Sequence, residues 1–223
     1  MGMTRSVEAR VNTVIGPVTV AASAQGLYRL DLPRPGQLRL RDLWARLGLP
    51  DIEPSPARTL ADFGIQLSRC EAVPCQAAAP VSTVSAPGGA QLSPGDLVAS
   101  ICEVVERFFL GDLDGPALSF SWIPVDMGQR SPFSRAVMEG MRAIPGGFVA
   151  SYSALATAAG APRAARGAGS VVGANPVALV VPCHRVVGTG GRLTGYGGTL
   201  PLKVVMLALE AQMTRRPGEP IPL

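Results

Sequence analysis

Two short helices are predicted close together in the second half of the chain, and they restrict how that half can fold. Ser151 is a suitable N-cap for the first helix, and Gly160 is expected to end it. Pro162 stands at the first position of the second helix, which is predicted to run from Arg163 to Gly169. Two short helices joined by a tight glycine turn are typical of a helix-turn-helix.

The predicted second helix carries two arginines among very small side chains. Arg163 and Arg166 are three positions apart, so we expect them on one face of the helix. The alanines and glycines around them would let the helix approach another surface closely, while arginine supplies phosphate contacts or enters a groove. The alternative is a surface helix that its glycines weaken.

The charge distribution favours DNA binding by this helix. Residues 130–216 contain ten arginines or lysines and two acids, a balance of +8, whereas residues 1–129 contain ten arginines and thirteen acids, a balance of −3. Such an asymmetry indicates a polyanionic partner for the basic half, with nucleic acid as the leading candidate. A solvated basic surface is the alternative.

The only histidine of the chain, His184, directly follows Cys183. A thiol attacks as its thiolate, and the ordinary cysteine pKa of about 8.5 leaves it mostly protonated at neutral pH, so an activated cysteine needs a neighbouring base or cation. His184 and Arg185 would supply both. The alternative is a buried apolar cysteine at the end of a strand, since free cysteine is among the most buried residue types. If Cys183 and His184 lie in a strand, their side chains point to opposite faces, so we expect a water to relay the thiol proton to His184.

The first part of the chain predicts a small sheet. Between residues 9 and 31 apolar and polar residues alternate, which predicts a hairpin or meander with a turn at Gly16-Pro17. Residues 32–94 are less regular. Two helix-like stretches, one around Leu43 and one opened by Ser55-Pro56, precede a run rich in alanine, proline, serine and glycine.

Two longer helices with clear start signals follow. Ser93 and Ser131 each precede a proline, a combination typical of the first turn of a helix. The elements together predict an α+β fold, with a small N-terminal antiparallel sheet domain and a mostly helical C-terminal domain that contains the helix-turn-helix. The expected boundaries are residues 1–128 for the sheet domain with its irregular insertion at about 32–94, residues 129–215 for the catalytic DNA-binding domain, and residues 216–223 for a tail.

Composition argues against several classes of protein. With 47% hydrophobic and 16% charged residues, 223 residues can bury a substantial core. The apolar runs are far shorter than a membrane span, and the N-terminus lacks the apolar stretch of a signal peptide, so we expect a cytoplasmic monomer without membrane contact. Four cysteines do not form a disulfide framework, and with one histidine they provide no zinc site. We expect no metal and no cofactor.

The stretch from Phe133 to Glu210 resembles the catalytic domain of the O6-alkylguanine-DNA alkyltransferases, also called methylated-DNA-protein-cysteine methyltransferases. The matching segments follow the order and spacing of that family. They are Ile144-Pro145-Gly146, Ser151-Tyr152, Leu155-Ala156, Pro162-Arg163-Ala164-Ala165-Arg166, Asn175-Pro176, Val181-Pro182-Cys183-His184-Arg185-Val186, Gly195-Tyr196, Lys203 and Glu210.

The resemblance implies a role for each matched residue at the reacting centre. Cys183 would accept the alkyl group, His184 would activate it through a water, and Glu210 would orient His184. Tyr152 would protonate or polarise the departing guanine. Asn175 would tie the helix-turn-helix to the active-site strand.

The base pocket and the DNA contacts are implied in the same way. The pocket residues would be Tyr196, Lys203, Pro182 and Val181, and the DNA contacts would be Arg166, Arg163, Ala165, Gly169 and Arg185. Arg166 would take the place of the extruded nucleotide. The implied partner is double-stranded DNA with alkylated bases, approached from the minor groove.

The implied activity is DNA repair by direct reversal, an irreversible transfer of the alkyl group from O6-alkylguanine to Cys183, with O4-alkylthymine as a further candidate substrate. Guanine O6 lies inside the base stack, so the lesion must be flipped out. The thioether product cannot regenerate the thiolate, so each molecule would act once. Three departures from the family pattern, at Gly197, Thr199 and Ser170, put efficiency and alkyl-group preference in question.

Three other classes share part of the pattern. A non-enzymatic protein that binds alkylated-DNA lesions would keep the helix-turn-helix but lack the cysteine, and it is the main alternative. A papain-like hydrolase takes its cysteine and histidine from distant parts of the chain. A sequence-specific regulator would need base-reading side chains, which alanine, glycine and serine do not provide.

Overall fold

The computed structural model of the protein describes residues 6–69, 92–194 and 200–215. Its first sheet contains β1 (Val7–Thr13), β2 (Gly16–Ser23) and β3 (Gly26–Asp31), which are antiparallel and adjacent in that order. This confirms the predicted meander.

The first turn lies two residues earlier than expected. Thr13 pairs with Gly16, so the turn consists of residues 14 and 15 and not of Gly16-Pro17. Gly16 has a φ of +118°, and a side chain there would meet the carbonyl oxygen of Gln37 at 2.5 Å. This turn places Ile15 in the core, where it is fully buried. Core packing therefore fixes the turn, and glycine permits it.

Residues 32–69 contain secondary structure, whereas residues 70–91, most of the predicted linker, lie outside the described part of the chain. The elements of residues 32–69 include α1 (Arg41–Arg46), a 3₁₀ turn at Ala61–Phe63 and the short strand β4 (Ser68–Arg69). The helix predicted from Ser55 is wrong. Only the 3₁₀ turn forms there and it ends at Gly64, because Leu60, Phe63 and Ile65 are all buried against the C-terminal part of the chain.

Helix α2 (Pro94–Leu110) links the two parts of the molecule. Ser93 and Asp96 form a capping box at its start, and Gly111, in the left-handed region with a φ of 76°, ends it. The helix packs on the first sheet and also contacts the last helix of the chain.

The C-terminal part is mostly helical, which confirms the predicted α+β architecture. Helices α4 and α5 pack on each other and on α3, and they form the predicted helix-turn-helix. The elements are α3 (Pro132–Arg142), β5 (Phe148–Ser151), α4 (Tyr152–Ala158), α5 (Ala165–Gly173), β6 (Val186–Val187) and α6 (Leu200–Met213).

A second, all-parallel sheet was not expected from the sequence. β5 is its central strand and pairs with β4 on one side and β6 on the other. A continuous core extends from the first sheet through α2 to the C-terminal helices, and a separate apolar cluster lies between residues 60–65 and α6. Among the helices in the described ranges, none is both long enough and apolar enough to cross a bilayer.

Candidate active site and nucleic-acid interface

Cys183 lies in a tight turn rather than at the end of a strand. Residues Cys183–Arg185 form one turn of 3₁₀ helix, and β6 begins only after it. Pro182 precedes the turn with a ψ of 70°, and the amide of Arg185 donates to the Pro182 carbonyl at 3.0 Å. Cys183 is 7% exposed. Cys183 is thus almost completely buried.

His184 is completely buried beside the carboxylate of Glu210. Its Nε2 lies 2.8 Å from Glu210 Oε1, while its Nδ1 has no hydrogen-bond partner among the described residues. Burial lowers the pKa of His184, against the opposing effect of the Glu210 charge. With Nε2 donating to the carboxylate, a neutral imidazole would present the lone pair of Nδ1 as a base.

Arg185 holds the same carboxylate. Its Nε lies 2.9 and 3.1 Å from the two oxygens of Glu210, and its Nη2 lies 2.7 Å from Oε1. Nη1 donates to the carbonyl of Ile144 at 2.7 Å, and Nη2 donates to that of Leu118 at 3.0 Å. Burial opposes ionisation of Glu210, but the charge of Arg185 and then that of His184 outweigh it and lower its pKa to about 2.

The expected DNA contact by Arg185 is therefore corrected. The residue is 2% exposed, and its guanidinium hydrogen bonds are directed to groups inside the protein. A buried carboxylate that orients the histidine needs a buried counter-charge, and Arg185 supplies it.

The carbonyl of Thr194 connects two further predicted residues. It accepts a hydrogen bond from the Tyr152 hydroxyl at 3.1 Å and another from Lys203 Nζ at 3.0 Å. Lys203 also donates to the carbonyl of Val186 at 2.6 Å. Burial lowers the pKa of Lys203 to about 8, and a charge on Cys183 acts in the opposite direction. Burial is also the main reason why the pKa of Tyr152 is raised, with a smaller effect of Cys183 in the same direction. A charge on Cys183 thus raises the pKa of both side chains.

Asn175 joins the end of α5 to the segment that leads to Cys183. Its Nδ2 donates to the carbonyl of Val181 at 2.7 Å, and its Oδ1 accepts from the amide of Val177 at 3.2 Å. Val181 is fully buried. Leu179, also buried, has a φ of 70°, a strained value for a residue with a γ-branched side chain. The backbone just before the nucleophile is thus held by side-chain hydrogen bonds and packing.

Helix α5 differs from its prediction at the N-terminus. It begins at Ala165, so Arg163 lies in the preceding turn and does not share a helix face with Arg166. The cause is Ala164, whose backbone has non-helical angles at the N-cap. Arg163 and Arg166 are both exposed, and Ala165 is half-buried.

Two glycines of α5 face aromatic side chains. A Cβ at Gly169 would stand 3.7 Å from Cδ1 of Tyr152, and one at Gly167 would stand 3.4 Å from Cε1 of Phe133. Both are ordinary contact distances, so the packing of α5 leaves room for a methyl group at either position. Ser170, one of the departures from the family pattern, is accommodated on the exposed side, where its hydroxyl donates to the Arg166 carbonyl at 3.3 Å.

Some expectations fall outside the part of the chain that the structure describes. These are the pocket residue Tyr196 and the departures at Gly197 and Thr199. Within the described ranges, no three histidine, cysteine, aspartate or glutamate residues are grouped so that they could hold a metal ion.

Sequence reasoning did not find the backbone acceptors of the site. The carbonyls of Leu118, Ile144 and Thr194 receive the buried cations, and a carbonyl carries no signal in a sequence. The burial of Arg185 had one available signal, because the residue lies inside a run of apolar residues from Val177 to Val187.

Comparison with known proteins agrees with this geometry. Residues 132–212 match the family model "6-O-methylguanine DNA methyltransferase, DNA binding domain". A methylated-DNA--protein-cysteine methyltransferase of Mycolicibacterium paratuberculosis is 52% identical over 112 residues, which cover 50% of this chain and 64% of that protein. The protein of the same name from Salmonella typhimurium is 48% identical over 83 residues, or 37% and 48% of the two chains. The chain thus spans between about half and two thirds of the length of these relatives.

Solved structures extend the similarity over most of the chain. The crystal structure of Mycobacterium tuberculosis O6-methylguanine methyltransferase has a TM-score of 0.56 and 26% identity, and the match covers 96% of this chain and 97% of that one. The crystal structure of Mycobacterium tuberculosis OGT in complex with DNA has a TM-score of 0.58 at 24% identity, with 93% and 94% covered, and supports the fold. Residues 132–212 are thus similar to the DNA-binding domain of the 6-O-methylguanine DNA methyltransferases.

Proposed function

We propose that this protein repairs alkylated DNA by transferring the alkyl group of O6-alkylguanine to Cys183. One observation carries the proposal. The residue after Cys183 is a buried histidine whose Nε2 is bound to a carboxylate and whose Nδ1 has no partner among the described residues. This is the arrangement of an activated nucleophile, with a base next to the thiol and an orienting acid behind the base. The names of the relatives, methylated-DNA--protein-cysteine methyltransferase, support the same chemistry.

The thiol proton would leave through a water to His184 Nδ1. Because burial lowers the pKa of His184, the imidazole is neutral at physiological pH and can accept a proton. The imidazolium that forms would be stabilised by Glu210, which stays ionised because its pKa is about 2. Arg185 in turn keeps that carboxylate in place.

The sulfur would then attack the alkyl carbon in line with the bond to O6. The carbon–sulfur bond forms, the carbon–oxygen bond breaks, and its electron pair passes to the guanine, which takes up one proton. The Tyr152 hydroxyl, whose single proton is donated to the Thr194 carbonyl in this structure, would turn it to the departing purine, and Lys203 would stabilise the thiolate through its charge. The reaction ends as a thioether on Cys183, so each molecule would react once. O4-alkylthymine presents the same type of carbon and is a second candidate substrate.

The helix-turn-helix would bring the lesion to this thiol. We propose that α5 approaches double-stranded DNA from the minor groove and that exposed Arg166 fills the gap left by the flipped nucleotide. Exposed Arg163, in the turn before α5, would contact phosphate, and Ala165 would let the backbone approach the DNA. Residues 129–215 would form the catalytic DNA-binding domain of a monomer and residues 1–128 the N-terminal domain. Tyr196, with Pro182 and Val181, would line the base pocket.

A titration tests the stoichiometry. A duplex with one O6-methylguanine is incubated with increasing amounts of protein, and the nucleosides are separated by chromatography after digestion. One guanine should be restored per protein molecule, and Cys183→Ala should restore none while still binding the duplex. Continued conversion by a limiting amount of protein contradicts the proposal, and tight lesion binding without conversion assigns the protein to the lesion-binding class.

A further inference from the structure

Residues 58–69, here called the strap, lie against the loop that follows β6. The amide of Leu193 donates to the Arg58 carbonyl at 2.9 Å, and the amide of Leu60 donates to the Gly191 carbonyl at 3.2 Å. Between these two bonds, Thr59 forms an antiparallel bridge with Arg192. The strap then ends in β4, which pairs with β5. The loop after β6 is thus joined by backbone hydrogen bonds to a segment more than a hundred residues earlier in the sequence.

Apolar side chains anchor the strap. Leu60, Phe63 and Ile65 are 7%, 3% and 6% exposed, and they belong to the same apolar cluster as Val187 and Leu193. The ring of Phe63 packs edge-on against Trp44 with 5.9 Å between the ring centroids. Phe63 has the largest side chain of these three, so we take it as the main apolar anchor.

Leu193, which is hydrogen-bonded to the strap, directly precedes Thr194, whose carbonyl belongs to the candidate site. Thr194, which follows Leu193, accepts hydrogen bonds from Tyr152 and Lys203 on its carbonyl. A charge on Cys183 raises the pKa of both side chains. The loop after β6 has glycine at positions 188, 190 and 191, so without the strap it would hold this carbonyl loosely.

We infer that the strap is a positioning element for alkyl transfer, with Phe63 as its anchor. It fixes the loop at residues 191–193 and so keeps the Thr194 carbonyl where it orients Tyr152 and Lys203 toward the thiol. This inference rests on the proposed function. Displacements of about 1 Å at a reacting centre can lower a rate about a hundredfold, so a loosened loop should be visible in the transfer rate.

Single-turnover kinetics can separate this role from a contribution to stability. Phe63→Ala and the milder Phe63→Leu are compared with Ile15→Ala, which removes a fully buried side chain in the core beside the first sheet. The full-length variants react with a saturating O6-methylguanine duplex at a temperature where the wild type is folded. Partial unfolding lowers the amplitude, which is the fraction of molecules that react. Misplacement of Tyr152 and Lys203 lowers the rate constant of the molecules that do react.

We expect Phe63→Ala to lower the rate constant about ten- to a hundredfold with unchanged duplex affinity, and Phe63→Leu to recover most of it. Ile15→Ala should change the amplitude alone. If Phe63→Ala is unfolded, a slower rate constant in Phe63→Leu than in Ile15→Ala supports the role, and equal rate constants overturn it. Wild-type rate constants in both Phe63 variants would overturn the role of the strap and leave the proposed function intact. A wild-type protein that transfers no methyl group overturns the proposed function, and the strap's role in transfer with it.

Discussion

Arg185 donates three hydrogen bonds to Glu210, and the same carboxylate also binds the imidazole of His184. The Nη2 of Arg185 and the Nε2 of His184 lie 2.7 and 2.8 Å from the same oxygen, Oε1. One buried acid therefore neutralises a buried cation and binds the histidine that follows Cys183. The stability of the core and the proposed activation of the thiol would depend on the same group.

Replacing Glu210 by glutamine should therefore affect both properties. The change leaves the charge of Arg185 buried without its partner, which costs about 3 to 5 kcal/mol in the free energy of unfolding. It also removes the anion that stabilises protonated His184, so the transfer rate should fall about a hundredfold. Denaturant unfolding and single-turnover transfer measure the two effects. Glu103→Gln, an exposed change on α2, is the control and should alter neither. A Glu210→Gln protein with wild-type stability would contradict the buried ion pair.

The pH dependence of transfer should show how the thiol loses its proton. Burial lowers the pKa of His184, so the neutral base persists at pH values below its ordinary titration near 6.5. We expect a nearly constant transfer rate between about pH 6.5 and 7.5, above which Lys203, with a pKa of about 8, loses the charge that stabilises the thiolate. In His184→Gln the solvent must deprotonate the thiol, so the rate should rise nearly tenfold per pH unit below the ordinary cysteine pKa of about 8.5. The same steep rise in the wild type would mean that His184 is not the base.

Arg166 and Arg185 should respond differently to mutation despite their identical charge. Arg166 is exposed on α5, so Arg166→Ala should slow reaction with duplex DNA far more than reaction with free O6-benzylguanine. Arg185→Met should lower the free energy of unfolding without changing the salt dependence of DNA binding, because its guanidinium is buried. Arg107→Ala, an exposed change on α2, serves as the control. An equal loss on both substrates in Arg166→Ala contradicts its role in flipping.

Asn175→Ala should uncouple the helix-turn-helix from the segment before Cys183. The change leaves the Val181 carbonyl and the Val177 amide without the hydrogen bonds at 2.7 and 3.2 Å. The Val181 carbonyl keeps the Cys183 amide as a donor at 2.8 Å, but the Val177 amide is left unpaired. An unpaired polar group inside the protein costs about 1 to 3 kcal/mol, so the midpoint of denaturant unfolding should fall. The control is Asn12→Ala, an exposed change on β1 that should leave it unchanged. Equal midpoints in the two variants would show that Asn175 has no structural role.

Capping residues in the sequence correctly predicted where three of the helices begin. Ser93, Ser131 and Ser151 accept hydrogen bonds from the first turns of α2, α3 and α4, as expected from capping residues. The parallel sheet of β4, β5 and β6 has strands of two to four residues, which are too short to give an alternating pattern. It depends on long-range pairing that no local signal records.

The candidate site was likewise predicted only in part. The sequence places His184 next to Cys183, and the resemblance adds Glu210, Tyr152 and Lys203. The sequence did not reveal that Arg185 is directed into the protein, because an arginine beside a nucleophile in a basic half also fits a DNA contact. Its orientation is decided by the buried carbonyls of Leu118 and Ile144, which come from other elements of the fold.

The most direct test of the account is the mass of the intact protein, and of its peptides, after incubation with a duplex that carries one O6-methylguanine. We predict the addition of a single methyl group, located on Cys183, in a protein that then reacts no further. An unchanged mass on a protein that binds the lesion, or a methyl group on any other residue, would contradict alkyl transfer to Cys183.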